Sequence, residues 1–488
     1  MARTSMIREA LIHSVQYGAA TVLSRAASIV LVPVYTRILV PADYGRLDLM
    51  TAFASLVNVT VALEISQGVA RHFVDAPSAA DRRAYASTSL WFSVVAYSLF
   101  AVVALVVADP LSRLVVGSSH PELIEAGALW IWATGMFYLI QNQLRWKLDP
   151  RGYAVVSILT TVTSIGFSVI FVVFLRLGVV GVLVGQALGS LCGLALGLRL
   201  LRGVYGPVFD TRRLAEMLRF SAPLVPSGVA VFVTLYVDRI AVAHFMTVGD
   251  VGVFGIGYRI ASITALVMIA FQAALTPLVY QHYREAETPE ELAGLFRLFV
   301  AFALTMCLGL ALYADQLVSV FTTPAFYHGA DVVPLLAPAV LIASMYIFAP
   351  GLAIQKRTGS IALLNVGQAV LNLALNVLLI PILGIAGAAL ATLLGASAAF
   401  AGYMVMSQQT YHVPHRWVPM GLAVLGTIGL FVLTRPFAGT GLDEVVAEAA
   451  AVIAAIVLFF RLGLVQPALL RAAIRSRSVA GDPPASAS

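Results

Sequence analysis

Apolar residues in this chain come in long runs separated by short polar segments, and the length of the runs decides their class. About 20 consecutive, mostly apolar residues cross a bilayer as a helix. Such stretches lie near 12–38, 44–65, 87–108, 122–143, 153–175 and 179–201, and a second set near 216–245, 251–280, 294–321, 332–355, 361–382 and 384–406. A further pair near 417–435 and 444–464 brings the expectation to about fourteen membrane helices. The fold class read from this pattern is an all-α, polytopic membrane protein. The first run is too long for a signal-peptide core and lacks a small-residue cleavage site, so it reads as a retained helix.

The two sets of six repeat each other at an offset near 206–207 residues, the kind of self-similarity that reports on architecture before any motif does. Ile38-Leu-Val-Pro-Ala-Asp-Tyr-Gly45 parallels Phe245-Met-Thr-Val-Gly-Asp-Val-Gly252, and in each the Asp can cap the next helix. Gly181, Gly185, Gly189, Gly193 and Gly197 form a small-residue stripe that returns as Gly387, Ala391, Gly395 and Ala399; such stripes let helix backbones approach closely. The preceding helices carry polar stripes, Ser157, Thr160, Ser164, Ser168 and Asn365, Gln368, Asn372, Asn376. An even number of spans per half gives both copies the same topology, with an axis along the membrane normal and a cleft between them. The expected divisions are 1–205 and 206–410 for the two lobes, 411–465 for the extra helices and 466–488 for a disordered tail.

Composition supports a lipid solvent: 60% of the 488 residues are hydrophobic and only 11% charged, against roughly 25% charged in soluble domains. If the N-terminus is cytoplasmic, twenty-two of the thirty Lys and Arg fall in inner loops and tails. That bias predicts both termini inside, as the positive-inside rule requires. The net charge of +6 is spread over many loops without a basic run, which argues against nucleic acid. Cys192 and Cys307 lie in apolar runs and offer no disulfide or metal spacing. No G-x-S-x-G, H-E-x-x-H or Walker sequence occurs, and no loop is long enough for a soluble catalytic module, so neither an enzyme nor a cofactor is expected.

Ionisable groups at membrane depth are costly, about 2.5–3.5 kcal/mol on insertion scales, so they tend to face a cavity or a partner. Arg25 lies mid-way along the first span and Arg259 about two turns into the eighth. Two guanidiniums on one cleft would suit a diphosphate; the alternative is that each pairs with a carboxylate or a helix C-terminus to hold its own lobe together. Glu64, late in the second span, could balance Arg25, bind a coupling proton or sodium ion, or reach the cytoplasmic headgroups. Asp238 and Arg239 point about 100° apart on one helix, so one of them can face the cleft without a mutual ion pair. The amides of Asn365, Gln368, Asn372 and Asn376 suit either sugar hydroxyls or interhelical bonds; Gln368 and Asn372 are the candidates for substrate contact. Pro33, Pro223 and Pro226 would kink the first helices of the two halves.

Pro33-Val-Tyr-Thr-Arg-Ile-Leu-Val-Pro-Ala-Asp-Tyr-Gly45, Gln67-Gly-Val-Ala-Arg-His72, Val237-Asp-Arg-Ile-Ala241 and Asp250-Val-Gly-Val-Phe254 resemble the polysaccharide flippase branch of the multidrug/oligosaccharidyl-lipid/polysaccharide exporter superfamily. The resemblance covers about residues 12–406. It implies a V-shaped pair of lobes with alternating access, in a bacterial inner membrane. The implied cargo is an oligosaccharide on a polyprenyl diphosphate, flipped for exopolysaccharide, O-antigen or capsule assembly alongside a glycan polymerase and export machinery. Arginines are typical of such cavities, and Arg25 and Arg259 occupy suitable helices. Lipid II-type flippases and cation-coupled drug exporters share the fold, and a membrane-embedded glycan polymerase is the alternative from another class.

Overall fold

The computed structural model describes residues 31–437 and 441–465, apart from the side chains at 270, 273, 274, 277 and 278. Arg25, nearly all of the expected first span, and the tail from 466 lie outside the described residues. The first half contains α1 (Val32–Thr36), α2 (Pro41–Thr60), α3 (Ile65–Asp75), α4 (Ala79–Val106), α5 (Ala108–Val116), α6 (Pro121–Trp146), α7 (Pro150–Val169) and α8 (Gly178–Leu200). The helix α9 (Thr211–Ser221) leads into α10 (Val225–Phe245), α11 (Val248–Ala261), α12 (Ile263–His282), α13 (Thr288–Leu312), α14 (Ala314–Phe321) and α15 (Val333–Ile342). The chain continues through α16 (Gly351–Ile354), α17 (Thr358–Leu383), α18 (Ile385–Gln408), α19 (Trp417–Thr434) and α20 (Leu442–Arg461). No strand occurs among the described residues.

Ten helical segments among the described residues are long and apolar enough to cross a membrane, or up to twelve if each of two bent pairs is one span. The count of about fourteen is not confirmed among the described residues. One missing span falls outside the described residues, and α20 carries Asp443, Glu444 and Glu448 in its first two turns. Two expected continuous spans are broken. The second bends by 44° between α2 and α3, where Leu63 and Glu64 take left-handed φ of 49° and 52°. That conformation costs non-glycine residues roughly 1–2 kcal/mol, and nothing in Val61-Ala-Leu-Glu64 announces it. The tenth breaks into α15, a 3₁₀ turn over Met345–Phe348 and the single turn α16. Pro338 lies inside α15, where it removes a helix donor, and Pro350 stands immediately before α16. Pro223 and Pro226 mark the junction of α9 and α10, through a 3₁₀ turn over Ala222–Leu224.

The repeat is visible in the elements themselves. Pro41 opens α2 and Val248 opens α11, and Gly178 opens α8 as Ile385 opens α18. α11 begins with a capping box, Thr247 Oγ1 accepting from the Asp250 N–H at 3.2 Å while Asp250 Oδ2 accepts from the Thr247 N–H at 3.0 Å. In α2 the matching Asp43 instead pairs with Arg46 at 2.8 Å. The glycine stripe and the serine stripe of the first half turn out to face each other: a Cβ at Gly185, Gly189 or Gly193 would strike Ser168, Ser164 or Thr160 of α7. In the second half Gly395 lies against Asn372 in the same way.

α2 and α11 join the halves. Gly45 lies so close to the Val248 carbonyl, and Gly252 to the Pro41 carbonyl, that a Cβ at either would collide with backbone. Around this contact Tyr44, Met50, Phe254, Ile256 and Phe326 belong to one apolar core shared by both halves. Farther along, Ile65, Ile131, Ile140 and Val156 form a core within the first half, and Phe296, Phe299, Phe348 and Phe459 one within the second, which α19 and α20 complete. The halves are thus fused at the Pro41–Val248 end and packed separately away from it. α9 packs on the first half, with Tyr85 O–H donating to Glu216 at 2.7 Å and Arg213 pairing with Asp81 at 2.5 Å.

Candidate functional site

Where the shared core ends, α2, α10 and α11 bring three charged side chains together. Asp48, two turns into α2, accepts from Arg259 Nη2 at 2.9 Å and lies 3.4 Å from Arg239 Nε. All three are enclosed: the Asp48 side chain is 6% exposed, Arg239 8% and Arg259 25%. Arg239 Nη1 donates to the Leu235 carbonyl at 2.9 Å, and its guanidinium lies over the rings of Tyr258 and Tyr236 at 4.3 and 5.5 Å. Arg259 sits 4.4 Å over Tyr44. Its Nη1 is buried without an acceptor among the described residues.

These groups line a cavity of about 390 Å³, within the usual range for small-ligand sites. Its charged lining is Asp48, Arg239 and Arg259, one carboxylate against two guanidiniums, so it keeps a net positive charge. A guanidinium fork with a free donor, ringed by tyrosine faces, is suited to phosphate oxygens. Arg259 pairs with a carboxylate, though not one that braces its own lobe: the partner lies 211 positions away in the other half. Asp48 itself was not among the candidate residues. The rule that singled out Arg259 applies to it equally, since it too is an ionisable residue within an apolar span.

Asp238 and Arg239 diverge as adjacent helical positions must. Arg239 faces the cavity, while Asp238 turns to α17 and α18 and is 2% exposed. Asn376 Nδ2 and Thr392 O–H each donate to its carboxylate at 2.7 Å. The amide stripe therefore splits: Asn372 and Asn376 belong to this buried cluster, where Asn376 Oδ1 has no donor, whereas Asn365 and Gln368 line a separate cavity of about 500 Å³ in the second half. Carboxylate, amide and hydroxyl oxygens in one buried place suit a proton or a small hard cation. No grouping of three or more His, Cys, Asp or Glu fit for a metal ion occurs among the described residues.

A third cavity, of about 320 Å³, opens on the first half and contains Glu64. It shares Thr51 and Tyr236 with the arginine cavity, so the two adjoin. The cavity that holds Gln368 shares no lining residue with either. Glu64 lies at the left-handed break after α2, and its side chain makes no capping hydrogen bond to α3. Asn58, Tyr236 and Thr392 are further site residues, uncharged and outside the polar stripes, so the sequence gave no reason to select them.

Comparison with solved structures shows a shared fold. A lipid II flippase in an inward closed conformation matches with a TM-score of 0.71 at 14% identity, covering 92% of this chain and 99% of that one. An inward-facing multidrug resistance MATE family transporter of the MOP superfamily matches with a TM-score of 0.66 at 16% identity, covering 82% and 97%. Among curated proteins, a probable low-salt glycan biosynthesis flippase of Haloferax volcanii is 26% identical over 211 residues, which is 42% of this chain. The match spans 44% of that relative's own length. A family model described as polysaccharide biosynthesis protein matches residues 34–331, most of the chain, including α2, α10 and α11, which carry the charged residues of the arginine cavity; the chain belongs to that polysaccharide biosynthesis family.

Proposed function

We propose that this protein is a flippase for oligosaccharide linked to a polyprenyl diphosphate, moving it from the cytoplasmic to the outer leaflet by alternating access between its two lobes. The observation that carries the reading is the pair of enclosed arginines, Arg239 and Arg259, answered by a single carboxylate from the opposite lobe. Such a site offers a diphosphate more than it offers a cationic drug. Membership of the polysaccharide biosynthesis family supports a glycan cargo, and the lipid tail would stay in the bilayer while the head crosses. Arg25 is retained as a further phosphate ligand on sequence grounds, and Gln368 and Asn372 are proposed to meet the glycan in another conformation of the lobes.

The membrane is a bacterial inner membrane in this reading, with both termini cytoplasmic and the fused Pro41–Val248 end outward. Carrying negative charge outward gains about 2.3 kcal/mol per charge per 100 mV with a negative interior. Coupling to a proton or sodium ion adds to this. Asp238 with Asn372, Asn376 and Thr392 is better furnished with oxygens for that role than Glu64. A glycan polymerase and export machinery would take the product.

The test is deletion of the gene followed by analysis of lipid-linked glycan in the two leaflets. Glycan stranded on the cytoplasmic leaflet, restored by the wild-type chain but not by Arg239→Ala or Arg259→Ala, is the expected result. Sensitivity to cationic dyes with no stranded glycan would replace this reading with drug export.

A further inference from the structure

The cavity on the first half has no place in the diphosphate argument, yet it adjoins the arginine cavity through Thr51 and Tyr236. Its wall combines aromatic faces with hydroxyl and amide groups: Trp130, Tyr138 and Tyr97, with Asn58, Ser66 and Ser93. Tyr138, one of its lining residues, is 49% exposed, a large polar-edged ring only partly covered by protein. Tyr97 O–H donates to Asn58 Oδ1 at 2.9 Å, which fixes both side chains.

Two features point to an absent polar ligand. The hydroxyls of Ser66 and Ser93 are buried, with the residues 5% and 1% exposed, and neither has a hydrogen-bond partner. Leaving such groups unsatisfied is costly unless something polar reaches them. Independently, the backbone at Leu63 and Glu64 holds the left-handed conformation that sets the Glu64 carboxylate on this wall. Strain of that kind is found where a side chain must be aimed.

We propose that this cavity is the subsite for the sugar joined directly to the diphosphate, and that it accepts a neutral sugar and disfavours an acidic one. The inference rests on the arginine cavity holding the diphosphate, because the first sugar is covalently bound next to it and the two cavities touch. Ring faces would cover the apolar side of the sugar, and the serine hydroxyls and Asn58 would meet its hydroxyl groups. The half-buried Glu64 carboxylate accepts from hydroxyls but repels a uronic acid carboxylate. The amide-lined cavity of the second half is the less suitable neighbour, since it is separated from the arginines.

The experiment measures binding of the full-length protein in nanodiscs to three synthetic lipids. They are polyprenyl diphosphate, the same lipid bearing one N-acetylglucosamine, and the same lipid bearing one glucuronic acid. Wild type should hold the N-acetylglucosamine lipid about tenfold tighter than the bare lipid, as for a few net hydrogen bonds. Ser66→Ala with Ser93→Ala should lower that ratio to about twofold or less without weakening the bare lipid. Glu64→Gln should raise affinity for the glucuronic acid lipid about tenfold, a neutralised like-charge contact. Arg259→Ala should weaken all three lipids equally. Ratios unchanged in the serine and glutamate variants, with the arginine effect intact, would overturn the sugar subsite alone. Failure of the bare lipid to depend on Arg259 would overturn the diphosphate reading beneath it.

Discussion

Asp48 occupies donors that a phosphate would need, so its removal should tighten binding rather than weaken it. In Asp48→Asn the side chain keeps its shape and one acceptor but loses its charge. A phosphate oxygen held by the free side of the Arg259 fork would lie roughly 6 Å from the Asp48 carboxylate. At an effective dielectric of about 20 that repulsion is about 3 kcal/mol per unit charge. The cavity is open to water and the Arg259 side chain is 25% exposed, so about half of this is a fairer figure, which corresponds to roughly tenfold in affinity. Against it stands the loss of an enclosed interlobe ion pair. Removing one partner of a buried pair costs about 3–5 kcal/mol, but here Arg239 keeps the Leu235 carbonyl and two tyrosine rings, so roughly half that is expected. The variant should therefore bind polyprenyl diphosphate about tenfold more tightly by titration in nanodiscs, melt at a lower temperature, and flip more slowly in proteoliposomes because the arginines are not released. Weaker binding by Asp48→Asn would refute the competition and make Asp48 a residue that orients the arginines.

Other outcomes test other parts of the molecule. Gly45→Ala and Gly252→Ala put a methyl into the facing backbone; crosslinking between cysteines placed at Ala42 and Gly249 should fall several-fold as the closed Pro41–Val248 end is disfavoured. Asp238→Asn should abolish any sodium- or proton-dependent rise in melting temperature, while Glu64→Gln should leave it in place. His415 lies against Phe296 and Trp417 in the loop before α19, and burial, with His412 and Arg297 nearby, pushes its pKa down to about 4. Its folded pKa is below the unfolded value near 6.5, so the unfolded chain binds more protons between about pH 4 and 6.5 and stability must fall as pH drops through that window. Protection factors over residues 409–416, taken relative to the slower intrinsic amide exchange at low pH, should fall on acidification, and His415→Phe should remove that dependence.

What the sequence determined alone is whatever depends on neighbours along the chain. Runs of apolar residues specify spans because a helix satisfies its own backbone in lipid. The paired Asp43 and Asp250 loops, and the matched stripes of α7 and α8, were legible because a repeat copies local pattern. Adjacent positions on one helix also required Asp238 and Arg239 to diverge. Tertiary structure alone decided which charges meet. Asp48 and its two arginines are 191 and 211 positions apart in sequence, and no periodicity links them: the position matching Asp48 in the second half is Gly255, whose missing side chain leaves room for the carboxylate. Likewise the serine stripe of α7 was spent on packing against glycines while Asn372 and Asn376 were drawn to Asp238, so two stripes of similar pattern acquired different work. Helix formation in a membrane is a local matter of backbone hydrogen bonds, whereas the pairing of buried charges is settled by which faces of distant helices come into contact.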